Sequence, residues 1–194
     1  AANEQFSFFI SAGVEDQEGI LLNSQLRRYS GRVNLSQKAL NGRLSIDYNF
    51  TGARTENFRP DNQGIVVDML QLNPTIPVFT NGQPTLLDDM LNPIVRNDIY
   101  SDEADNSRIL ANISPSLEII KDLTYKLNLG VDYSTTNRDR QREPYALLEG
   151  LELGALNSTT TRNENQLVEN TLTYKFERGS QNLIFLLGHS YQKT

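Results

Sequence analysis

No cysteine occurs among the 194 residues, which excludes disulfide frameworks, thiolate zinc sites and cysteine nucleophiles and leaves the redox compartment open. Histidine is almost as scarce. The single one, His189, cannot build a histidine-cluster metal site, and a serine triad would depend on it without any Gly-x-Ser-x-Gly elbow to hold the nucleophile. Basic charge is in deficit, with 18 Lys+Arg against 24 Asp+Glu and a net charge of −6. With no basic run either, a nucleic-acid partner is not expected. A phosphate-cradling glycine loop, an internal repeat and a low-complexity tract are all missing. No stretch approaches the roughly 18 uninterrupted apolar residues of a spanning helix, and Ala1 to Glu4 is not followed by a secretory apolar core and cleavage site. Mean hydropathy of −0.48 and a hydrophobic fraction of 38% suit a soluble domain. They suit a transmembrane β-barrel equally, because its strands alternate apolar and polar residues and hide the membrane face from any average.

What is present is a period of two, recurring in segment after segment. Phe6, Phe8, Ile10, Ala12 and Val14 lie on one face of a first strand with Ser7, Ser11 and Gly13 on the other, Phe9 being the exception. The pattern returns over 28–36, 44–51, 109–119 (with Pro115 on the apolar side), 123–134 and 168–176, and 183–191 reads as a last strand that is apolar on both faces until His189. It is cleanest over 123–134, where Leu123, Tyr125, Leu127, Leu129, Val131 and Tyr133 oppose Thr124, Lys126, Asn128, Gly130, Asp132 and Ser134. This predicts about seven strands and an all-β fold. Several alternations run for about 10 residues, the length of a tilted membrane-spanning strand and longer than the usual ~5–6 of a soluble one.

The connections sharpen the reading. Short links (38–42, 120–122, 177–180) alternate strictly with long ones (15–24, 56–106, 137–164), so all long loops leave one side of the sheet, as in outer-membrane barrels with periplasmic turns and extracellular loops. The 56–106 connection is too long to be structureless. Two short helices are predicted inside it: 64–72, stopping at Asn73-Pro74, and 85–91, opened by a Thr85-x-x-Asp88 box and stopped before Pro93. Asn81-Gly82 between them signals a turn. Tyr125 and Tyr133 share a face about 20 Å apart along the membrane normal, the spacing of two aromatic girdles. Arg28, Arg32, Asp47, Lys126, Asp132, Glu169 and Lys175 fall on the opposite faces, as a polar lumen requires.

These residues resemble a known family. FFISAGVEDQEGI at 8–20, then Arg28 and the Arg32-Val33-Asn34 step, LQLNPTIPVFTNGQP at 70–84, Asn92-Pro93, the strand pair at 108–134 and LLGHSYQ at 186–192 are similar, in order, to the barrel of SusC/RagA-type TonB-dependent outer-membrane transporters of the Bacteroidetes. The resemblance implies an antiparallel transmembrane β-barrel of about 22 strands. Residues 1–194 would be a partial barrel domain of about seven of them, without plug, TonB-contacting segment or remaining strands. It implies outer-membrane import of glycans or peptides, a SusD-like lipoprotein lid, coupling to the TonB complex through the plug, contact with outer-membrane lipid, and neither cofactor nor catalytic residues. Rival readings are a secreted or periplasmic carbohydrate-binding β-sandwich and, more weakly, a glycoside hydrolase domain, since carboxylates are abundant but unplaced.

Phe58, Phe79, Tyr100 and Tyr145 lie in the predicted long loops and are suited to stacking on sugar rings, to packing on a lid, or to packing within their own loops. Asp98, Asp102, Glu103 and Asp105 form an acidic loop cluster whose spacing matches no EF-hand, so it reads as solvated rather than as a calcium site. Arg138, Arg140 and Arg142, interleaved with Asp139 and Glu143, read as a solvated mixed-charge loop. His189, between Leu187 and Tyr191 on the apolar face, is assigned no chemistry.

Overall fold

The computed structural model describes residues 5–87 and 90–194. Along the chain run β1 (Phe6–Glu18), β2 (Gln25–Ala39), β3 (Leu44–Arg59), α1 (Asn62–Gln71), β4 (Phe79–Thr80), β5 (Gln83–Pro84), α2 (Pro93–Ile99), β6 (Tyr100–Ile120), β7 (Leu123–Arg142), β8 (Ala155–Arg178) and β9 (Gln181–Lys193). Seven strands form one antiparallel meander in the order β1-β2-β3-β6-β7-β8-β9, and β4 and β5 make a separate hairpin. Its turn is Asn81-Gly82, both at positive φ (53° and 79°), as a tight two-residue hairpin demands.

Register sorts the side chains. Phe8, Leu35, Tyr48, Ile113, Leu129, Val168 and Tyr191 are successive pairing partners and form one row across all seven strands. One residue along, the row is Phe9, Asn34, Asn49, Asn112, Gly130, Leu167 and Gln192. Partners in a ladder share a face, so the sheet has an apolar side, called outer here, and a polar inner side. On β7 the apolar band runs from Leu123 to Tyr133, about 26 Å high at ~3.4 Å per residue and a tilt near 40°. That matches the ~25 Å apolar belt of a barrel in an outer membrane.

The sheet has no second layer among the described residues. Buried hydrophobic residues there are Ile65, Leu91, Val95 and Ala104, the first three belonging to the insertion between β3 and β6, whereas Val14 is 72% exposed and Leu187 73%. A sandwich would cover such a face with a facing sheet; here the apolar environment must come from outside the chain.

The links alternate as expected, but the strands are longer than the hydrophobic pattern shows. The tight turns are 40–43, 121–122 and 179–180, and the long connections shrink to 19–24, 60–99 and 143–154. Residues 15–18, 56–59, 100–106, 137–142 and 155–164, expected in loops, continue the ladders. The reason is that hydropathic alternation marks a strand only where one face meets an apolar medium; above the band both faces are wet and the signal vanishes while the backbone bonds persist.

The first expected helix is α1. The second is displaced: 85–87 is not helical, Asp88 of the proposed box lies outside the described residues, and α2 starts where that helix was to stop. Pro93 occupies the first turn, where a missing N–H costs nothing, and the Asn92 side chain caps it by accepting from the Ile94 N–H at 3.0 Å.

Candidate functional site

The inner face at band height is a cross-linked polar wall. Asn128 accepts from Asn112 Nδ2 (2.5 Å) and Ser114 Oγ (2.8 Å) and donates to Glu169 Oε2 (2.7 Å), tying β6, β7 and β8 together. Higher up, Arg108 holds Asp132 through Nε (2.9 Å) and Nη2 (2.7 Å), and Asn106 donates to the Thr136 hydroxyl at 2.6 Å. Every predicted lumen residue takes the inner face: Arg28, Arg32, Asp47, Lys126, Asp132, Glu169 and Lys175. A groove of about 440 Å³ crosses this wall beside Phe9, Asn34, Asp47 and Lys126.

Above the band the inner face becomes arginine-rich. Arg138 donates to Asp102 through Nε (2.7 Å) and through Nη2. Asp102 is only 4% exposed; the hydrogen bonds from Arg138 hold its carboxyl below the usual carboxylate range against the opposing effect of burial, with Arg59 and Arg140 adding attraction. Burial pushes the neighbouring Tyr100 hydroxyl up, and the charge of Asp102 adds to it. Arg59 and Arg142 each keep a buried Nε with no partner.

The insertion packs over this end. Asp61 caps α1, accepting from the Gly64 N–H at 3.2 Å. Arg96 of α2 clips the two helices, donating through Nη1 to Asp61 (3.0 Å) and through Nε to buried Asp68. Asn92 donates to the carbonyls of Val78 (3.2 Å) and Thr85 (3.1 Å) and so fastens the β4–β5 hairpin. Between the insertion, the 143–154 loop and the ends of β7 and β8 lies a cavity of about 550 Å³, lined by Arg96, Tyr100, Arg140, Arg142, Leu151 and Asn157 among others.

The four aromatic candidates do not form one group, although Phe58 and Tyr100 both line a smaller cavity of about 310 Å³ beside Arg59 and Asp102. Tyr100 also lines the 550 Å³ cavity. Phe58 lies on the outer face between Gln25 and Glu103, Phe79 is exposed on the hairpin, and Tyr145 sits in the 143–154 loop, where its N–H donates to the Leu151 carbonyl at 2.7 Å. The acidic loop reading is corrected: Asp102, Glu103 and Asp105 are on β6 and alternate faces, Asp102 inward on Arg138 and Asp105 outward on Arg54 (Nε at 3.0 Å). Among the described residues no three such ligands converge for a metal. The mixed-charge loop is corrected too, because 138–142 is the end of β7 and its arginines all point inward. The signal for this was legible, since Arg138-x-Arg140-x-Arg142 has the strand period, but charged repeats are ordinarily read as solvated loops. His189 takes the outer face opposite Asn170, whose side chain accepts from the Tyr125 hydroxyl at 2.6 Å.

No protein-family model matches the chain. Over 99% of its length it is 26% identical to TonB-dependent receptor P3 of Formosa agariphila, and it spans 20% of that receptor. Solved structures share its fold. A RagAB peptide transporter chain superposes with a TM-score of 0.77 at 22% identity, over 99% of this chain and 23% of that one. A RagAB peptide importer in an open-open state gives 0.76 at 24%, over 97% and 22%. The unclosed seven-stranded sheet, with its outer apolar band and its loops gathered at one end, is similar in sequence to part of a TonB-dependent receptor and in fold to part of the RagAB transporter chains.

Proposed function

We propose that residues 1–194 are part of the barrel domain of an outer-membrane, TonB-dependent nutrient importer. The observation that carries the reading is the apolar row from Phe8 to Tyr191: seven paired strands present one continuous lipid-height band outward and a hydrogen-bonded polar wall inward. Such a wall has a scaffolding and binding role. The 19–24, 60–99 and 143–154 connections face the cell exterior, and the substrate enters between them and the inner wall. A SusD-like lipoprotein covers this end, and the TonB complex acts through a plug supplied by another part of the protein. Peptides are favoured over glycans as cargo, because the solved neighbours are peptide importers and the candidate aromatics form no stacking platform. Tyr100 is the one of the four that meets the cargo.

Orientation tests this directly. In the full-length protein a single cysteine at Asn81, on the insertion hairpin, labels in intact cells with an impermeant maleimide, whereas one at Asn41, in a tight turn, labels only after the outer membrane is opened. External labelling at Asn41 overturns the proposal, as does unchanged nutrient uptake in a strain lacking the gene.

A further inference from the structure

Above the apolar band, charge is sorted by face. On β3, β6, β7 and β8 the inner face there carries Arg59, Arg138, Arg140 and Arg142 against Asp102, while the outer face at the same height is dominated by carboxylates such as Glu56, Glu103, Asp105 and Asp139. In a chain of net charge −6 this collects positive potential inside the mouth, where low-dielectric walls focus it. The positive charge is also unevenly spent. Asp102 is taken by Arg138 through Nε and Nη2, and Arg96 is neutralised by Asp61 and Asp68. Arg140 donates to no side chain or carbonyl among the described residues. Arg142 donates through Nη2 to the Leu153 carbonyl at 3.2 Å and leaves its buried Nε unpaired. Both line the 550 Å³ cavity, whose remaining wall includes Leu91 and Leu151.

A planar guanidinium with free donors on the wall of a partly apolar cavity matches a carboxylate, which takes two parallel hydrogen bonds from it. The leucines suit an aliphatic side chain or peptide backbone, whereas a sugar ring would want flat aromatic faces and the cavity offers Tyr100 alone. We infer that the cavity above β6 and β7 binds a side-chain carboxylate of an acidic peptide through Arg140 and Arg142. This rests on the import reading and narrows its cargo.

The test uses the full-length transporter with its lid. The probes are a fluorescently tagged, C-amidated alanine pentapeptide with central aspartate, the same peptide with central asparagine, and a tagged oligogalacturonate. Binding is read by anisotropy and energised uptake in cells. The aspartate peptide binds at least about tenfold more tightly than its amide twin, equivalent to about 1.4 kcal/mol, and the advantage weakens with added salt. Arg140→Gln weakens the aspartate peptide far more than its amide twin and so removes most of the advantage, and Arg140→Lys restores part of it. Because Arg140 makes no side-chain hydrogen bond or close ion pair among the described residues and adds only longer-range attraction to Asp102, these variants retain the folded, heat-modifiable form. Equal affinity for the two peptides, or an advantage that survives Arg140→Gln with Arg142→Gln, overturns the inference and leaves the import reading standing if both peptides are taken up. Arginine-dependent binding of the oligogalacturonate without peptide binding overturns it in favour of an anionic glycan. Absence of energised uptake for every probe removes the inference and the peptide-import reading together.

Discussion

Leu129 lies on the outer face of β7 between Ile113 of β6 and Val168 of β8, and its depth in the proposed bilayer can be worked out. Six steps of ~3.4 Å from Leu123, tilted near 40°, place it about 16 Å up a band about 26 Å high, so it is about 3 Å from the midplane. Arginine on the lipid face at that depth costs about 2–4 kcal/mol, and the middle of that range corresponds to about 150-fold in the folding equilibrium. The matched control is Asn49→Arg, on the inner row between Asn34 and Asn112. Asn49 makes no side-chain hydrogen bond among the described residues, so its replacement forfeits none, and a cation facing a watery lumen should cost at most about 1 kcal/mol. Denaturant titration of the full-length protein folded into lipid vesicles measures both. Equal destabilisation refutes the assignment of faces. Burying arginine in a protein core would also be costly, so a nitroxide at position 129 completes the experiment. It should relax faster with dissolved oxygen than with a polar nickel complex, and shielding from both reagents would mean that this face packs on protein.

The isolated 194-residue chain should aggregate or require detergent, because both sheet edges and the whole outer face meet water; a monodisperse detergent-free monomer with a cooperative thermal transition would contradict this. Asn92→Ala removes the α2 cap and strands the carbonyls of Val78 and Thr85, a loss of about 2–3 kcal/mol from a cap plus unsatisfied groups, seen as faster proteolysis between α1 and α2 with the sheet intact. The Asp102 carboxyl is depressed in the folded protein, so its stabilising contribution is complete above the ordinary carboxylate range and lost as pH falls below about 4. Amide exchange at the paired ends of β6 and β7 should therefore accelerate on acidification, and Asp102→Asn should flatten that response. Gly82→Val forces a β-branched residue to the φ of +79° found there and should open the β4–β5 hairpin by well over 1 kcal/mol, read as lost protection at Thr85; retained protection would show that the turn tolerates strain.

The seven strands, their inner and outer faces and the end at which the loops gather were all legible in the amino-acid order. A strand with one face in an apolar medium and one in water must alternate, and tight turns must separate the paired members. The full reach of the strands was not legible, because above the band nothing apolar marks the ladder and only pairing with a neighbour reveals it. Arg138, Arg140 and Arg142 looked like a charged loop for that reason, and register alone put them on the inner face with Arg59. Partner choice was likewise a tertiary decision. Arg138 finds Asp102 across 36 residues and Arg96 finds Asp61 across 35, and an ion pair has no periodicity to read in advance. Hydropathy is a local response to solvent and can be written one residue at a time, whereas a charge's partner depends on which strands lie side by side, and that is known only once the sheet has formed.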